Sequence, residues 1–149
     1  MREIKFRGQH AGNLRWYYGG YHKHEVVTVC PLDNTPIEYQ HLIVQSGFGD
    51  WNLPKPIQAV EVIPETVGQY TGLLDKNGKE IYEGDILRCF SKTDKAEMVV
   101  IFEDGEFRMV LTEKYHAYTT GFGFYAIRNF DKEVIGNIHD NPELLEVEK

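Results

Sequence analysis

Apolar and polar residues alternate over short stretches of this chain, and no sustained 3.6-residue apolar stripe develops in its first half. Period two predicts strands over residues 3–7, 15–21, 25–30, 38–45 and 58–63, with turn-like stretches at 9–13, 31–36 and 46–56 between them. From Val67 the pattern sharpens. Residues 67–74 and 79–82 flank Asp75-Lys76-Asn77-Gly78 and read as a hairpin, because Asn-Gly supplies the positive φ angles of tight turns. A strand over 85–90 and a polar loop over 91–95 come next. Residues 98–102 and 107–111 flank Asp104-Gly105, a second hairpin signal. Residues 115–127 are aromatic and carry Gly121 and Gly123, which fits a strand, a bent strand or an ordered loop. A short strand over 133–138 and one helical turn over 141–146, with Pro142 at its first position, complete the reading.

The order after Glu83 is a Gly-Asp turn, an apolar strand, a polar loop, a hairpin, a variable segment and a last short strand. Small five-stranded SH3-like barrels are commonly assembled in this order. Gly84 suits a strained turn at the entry, and Asp85 can accept nearby backbone amides. The expected fold is mainly β with little helix: a C-terminal SH3-like barrel over 84–149 joined to a β-rich N-terminal portion over 1–83, the whole forming a single unit.

Composition narrows the class. At 149 residues and 42% hydrophobic, the chain has the make-up of one globular domain. A chain this long buries roughly 68–70% of its unfolded surface, enough to fold without a disulfide or metal. Cys30 and Cys89 lie far apart and outside any CxxC pair, so they read as two reduced thiols of a cytosolic protein. No run of 18 apolar residues exists, and the N-terminus alternates charged and apolar residues, so neither export nor membrane spanning is expected. The net charge is −7: residues 1–70 carry 6 basic and 7 acidic side chains, residues 71–149 carry 10 and 16. Such a balance works against non-specific binding to a phosphate backbone.

Residues 64–87, PETVGQYTGLLDKNGKEIYEGDIL, resemble the signature of the YopX family of small phage and prophage proteins. REIKFRG at the N-terminus, WYYGG and the late VIGNIHDNPELL are similar to that family's flanking motifs, in the family's order. Residues 30–56 depart from it most. The resemblance implies a mainly β architecture with an SH3-like barrel, a phage or prophage origin and residence in a bacterial cytoplasm. It implies no reaction and carries no catalytic residues over.

Several constellations are weighed against blander readings. His22 and His24 are two apart, so on a strand their rings share one side and could join a third ligand around zinc; exposed rim histidines are the favoured reading. Cys30 and Cys89 end apolar segments, where cysteine is usually a small buried hydrophobe and not a nucleophile. Glu80, Glu83 and Asp85 could hold Mg²⁺, but they sit in the family motif as turn and strand entry, which favours a structural role for Gly84 and Asp85. Gln69-Tyr70-Thr71-Gly72 lacks the lysine and following helix of a phosphate loop. For nucleic acid, Arg2, Lys5, Arg7, Arg15 and Lys23 lie among Phe6, Trp16, Tyr17 and Tyr18, a mixture able to hold phosphates and stack bases. Arg7, Arg15, Trp16 and Lys23 are the residues expected to matter most in that reading.

The leading expectation is a non-enzymatic accessory protein with no catalytic residues, cofactor or metal, binding a protein of the host or phage. Nucleic-acid binding in phage replication or regulation is the alternative. No membrane partner is expected, and exposed strand edges leave self-association open.

Overall fold

The computed structural model describes residues 3–26, 36–50, 52–90, 95–112 and 122–145. Two compact units divide the chain, one spanning Ile4–Gly68 and the other running from Gln69 onward. The hairpin over 68–82 is bonded to the later strands of the second unit through Asp75 and Lys76.

The N-terminal unit contains β1 (Phe6–Gln9), β2 (Trp16–Val26), β3 (Glu38–Ser46) and β4 (Ile57–Glu61). They lie in the order β4-β3-β2-β1, each pair antiparallel. The two strands expected at 15–21 and 25–30 are one, continuous from Trp16 to Val26. The run His22-Lys23-His24-Glu25 interrupts the apolar alternation without interrupting the ladder, because its backbone pairs with Leu42, His41, Gln40 and Tyr39. All four side chains are exposed, so nothing at these positions selects for apolar residues. Residues 27–30, including Cys30, lie outside the described part. Beyond β4 the chain turns back to β1: Val62 donates its N–H to His41 and Ile63 donates to Gln9. The buried residues here are Ile43, Val60 and Val62.

The C-terminal unit opens with the hairpin of β5 (Gly68–Leu74) and β6 (Glu80–Tyr82). Of its turn residues only Gly78 has positive φ, at 82°. Asn77 is not in that region because the Asp75 carboxylate caps the turn, accepting the Asn77 and Lys79 N–H groups at 2.7 and 2.9 Å. Next come β7 (Asp85–Phe90), β8 (Lys95–Glu103), β9 (Glu106–Leu111), β10 (Phe122–Gly123), the short α1 (Phe124–Asn129) and β11 (Asp131–Asn137). The β8–β9 turn carries Asp104 at φ 52° and Gly105 at 83°, the two successive positive angles of a type I′ hairpin.

Strand order in this sheet is β10-β9-β8-β7-β11. Among the described residues these five strands form one antiparallel sheet with no closed barrel, so the mainly β expectation holds and the SH3-like closure expected from the sequence is not confirmed. Within the described residues β10 pairs with β9 through Phe122 and Gly123 and passes directly into α1. That helix occupies part of the 115–127 segment expected as strand or loop; residues 113–121 lie outside the described part. The late turn is a 3₁₀ helix over Pro142–Leu145.

Ile81, Leu87, Cys89, Met98, Val100, Phe107 and Met109 form one core cluster, with Val134 and Leu111 packed against it. Ile86, Val99 and Val110, on alternate positions, are also buried. The central strands are therefore covered on both faces, which explains the adjacent apolar pairs Ile86-Leu87 and Val99-Val100. Each such fully buried side chain contributes about 1.5–3 kcal/mol.

Candidate binding surface

The loop joining β3 to β4 is held by backbone hydrogen bonds at its base and across Asp50 to Leu53. Gly47 donates to the Pro56 carbonyl at 2.7 Å, and Leu53 donates to Asp50 at 3.1 Å. A Cβ at Gly47 would come within 3.1 Å of the Pro56 ring, so glycine lets the two arms approach. Along this loop and at the start of β4, Phe48, Leu53 and Ile57 are exposed at 91%, 66% and 82%. Leaving three large apolar side chains in water on one short segment forgoes burial worth about 1.5–3 kcal/mol for each, so the fold does not account for them.

β4 extends this surface as the edge strand of its unit among the described residues. The bonds Val62 to His41 and Gly47 to Pro56 fix the ladder's parity. Val60 and Gln58 therefore bond inward to β3, and the backbone groups of Ile57, Ala59 and Glu61 face the open edge. Residues 47–57 carry one acid, Asp50, and one base, Lys55, and so no net charge. Apolar anchors beside an open edge can accept an extended or apolar partner segment.

The residues expected for nucleic acid are arranged differently. Arg7 is 6% exposed with its guanidinium 4.7 Å from the centre of the Trp16 ring. Lys23 stands 4.0 Å over the Tyr39 ring. Arg15 is exposed, and its N–H donates to the Asn13 side chain. Registers put Arg7 opposite Tyr18 and Lys23 opposite His41, on alternate faces of the sheet, so the structure does not gather these cations into one stripe. Arg2 lies outside the described residues.

Gly84 has φ 82°, donates to Val100 and accepts from Ile138, joining β8 to the end of β11. Asp85 is buried and accepts the Tyr82 N–H at 2.8 Å, closing the turn into β7, while the Tyr82 hydroxyl donates to Glu80. Cys89 is in the core with its thiol 3.8 Å from the Met109 sulfur. Burial pushes that thiol up, against the opposing pull of Lys132 across the ladder. Burial likewise pushes the Lys132 ammonium down, while Cys89, Asp131 and Asp75 favour its charge; it donates to the Phe130 carbonyl. His22 and His24 lie with ring centres 6.0 Å apart, and among the described residues no group of three His, Cys, Asp or Glu side chains is placed to hold a metal.

The exposed tip was not among the residues expected from the sequence, where 46–56 reads only as a turn-like stretch. Its signal was the density of Phe48, Leu53 and Ile57 among Gly47, Gly49, Pro54 and Pro56, apolar residues in a segment with no strand period to bury them.

Antiparallel strands in two sheets, with no described helix beyond six residues, define a mainly β protein. The YopX protein family matches residues 5–146, nearly the whole length, and the chain belongs to the YopX family. Among solved structures it is similar to protein EF1440 from Enterococcus faecalis, with 25% sequence identity, covering 98% of this chain and 100% of that one, at a TM-score of 0.48. No curated protein matches. Among the described residues no helix is long and apolar enough to cross a membrane.

Proposed function

We propose that this chain is a non-enzymatic accessory protein of phage or prophage origin, working as one unit in the bacterial cytoplasm, that docks a host or phage protein through the β3–β4 tip. The observation carrying this reading is the exposure of Phe48, Leu53 and Ile57 on a hydrogen-bonded loop. Interfaces concentrate affinity in a few large, mostly aromatic anchors, and this tip offers them without net charge. A meander of β7, β8 and β9 with β11 returning beside β7 also shares its strand order with small SH3-like barrels, a scaffold often used for binding; that support is analogy of fold. A protein partner is favoured over nucleic acid because Arg7 and Lys23 already stack on aromatic rings.

The test is a nuclease-treated pull-down from lysogenic cells with the full chain and with a Phe48→Ser, Leu53→Ser, Ile57→Ser variant. A specific protein retained by the wild type and lost from the equally stable variant is expected. Capture abolished by nuclease, or unaffected by the substitutions, would exclude this surface.

A further inference from the structure

We propose that His22 and His24 form a bidentate surface chelate for a late first-row divalent cation of the zinc and copper class. The inference is independent of the docking surface. Residues two apart on β2 share a face, and the two rings stand with centres 6.0 Å apart, tilted by 37°. With metal–nitrogen bonds of about 2.0–2.1 Å, two imidazoles on one tetrahedral ion hold their ring centres roughly 5 Å apart. The remaining closure is within reach of side-chain torsions, since both residues are exposed and neither ring is pinned by packing.

The cross-strand surroundings place no charge against a cation. Cross-strand neighbours are Leu42 opposite His22 and Gln40 opposite His24, neither of them charged. The intervening Lys23 is held over the Tyr39 ring. Two of the other histidines are committed: His10 accepts the Gly12 and Asn13 N–H groups through Nδ1, and His41 Nδ1 is bonded to the Tyr21 hydroxyl at 2.7 Å. Imidazole nitrogen selects zinc, nickel or copper over magnesium and calcium, which require oxygen. Because no third His, Cys, Asp or Glu joins the pair among the described residues, water or a donor from another molecule completes the coordination. The chelate is therefore an exchangeable site and adds little to folding.

Titration calorimetry of the full chain with zinc chloride at neutral pH tests this. One zinc per chain is expected, with no binding of magnesium. His22→Asn and His24→Asn should each weaken zinc binding by about tenfold or more. A second measurement needs no variant: substoichiometric Cu²⁺ should broaden the amide signals of residues 22–24 first, then those of Gln40 and Leu42. Absence of zinc binding, undiminished binding by the double variant, or broadening centred on the acidic turn at Glu103 to Glu106 would each overturn the proposal.

Discussion

Asp75 Oδ2 accepts the backbone N–H of Val134 at 3.1 Å, joining the β5–β6 turn to β11 across 59 positions of sequence. Its other oxygen caps the turn itself. Lys76 repeats the link, donating its N–H to the Lys132 carbonyl and pairing its ammonium with Glu133. Burial of Asp75 opposes ionisation, yet the N–H donors of Val134, Lys79 and Asn77 outweigh it and hold the carboxyl below its ordinary value. These bonds make the hairpin part of the C-terminal unit.

Replacing Asp75 tests that role. Asp75→Ala orphans three amides in or near a buried site and should destabilise the protein by about 2 kcal/mol or more at neutral pH. Since the folded carboxyl titrates below its unfolded value of about 3.9, its stabilisation is full above that value and is lost as pH falls through the folded one. Urea unfolding from pH 7 downward should show the wild-type advantage over the variant shrinking only in acid. A constant difference down to the lowest pH would contradict an ionised Asp75 in the native state.

Gly84 offers a second test. At φ 82°, with its N–H and carbonyl engaged by Val100 and Ile138, the residue cannot relax without breaking the join between β8 and β11. Gly84→Val should cost more than roughly 1 kcal/mol, and Gly84→Asn should cost less, because asparagine tolerates left-handed backbone better than a β-branched residue. Thermal melts of the two variants decide it; equal melting temperatures for valine and wild type would show that the turn is not under this constraint.

The parts legible in the sequence were those fixed by local chemistry. Asp104-Gly105 and Gly78 announce their turns because few residues accept positive φ, and Gly84-Asp85 marks the entry to β7 for the same reason. Two features were hidden because they depend on distant pairing. The exposed run His22 to Glu25 has strand backbone only because β3 lies beside it. Barrel closure, expected from the order of elements, rests on pairing between distant strands that no local pattern specifies, and the described residues show the sheet without it. The β3–β4 tip was invisible for a different reason: hydrophobic periodicity locates buried faces, whereas Phe48 and Leu53 are apolar and exposed.

The partner class can be separated by salt. Were nucleic acid the ligand, Arg7, Arg15 and Lys23 would neutralise phosphates, and each lost contact would lower the log–log salt slope by about 0.7–0.9. Arg7, however, is buried against Trp16 and Lys23 lies over Tyr39, so engaging a phosphate with either would give up a cation–π contact worth about 0.5–1 kcal/mol or more. Arg15 is exposed, and the chain's charge of −7 repels the backbone as a whole. Fluorescence anisotropy with single- and double-stranded DNA at about 150 mM salt should therefore show binding no tighter than the 10⁻⁴ to 10⁻⁶ M of non-specific contacts. The triple variant Arg7→Gln, Arg15→Gln, Lys23→Gln should leave whatever protein partner is captured at the β3–β4 tip still bound, with changes mainly in association rate. Submicromolar DNA binding that weakens steeply with salt and is lost in that variant would transfer the function to the β1–β2 aromatics and away from Phe48, Leu53 and Ile57.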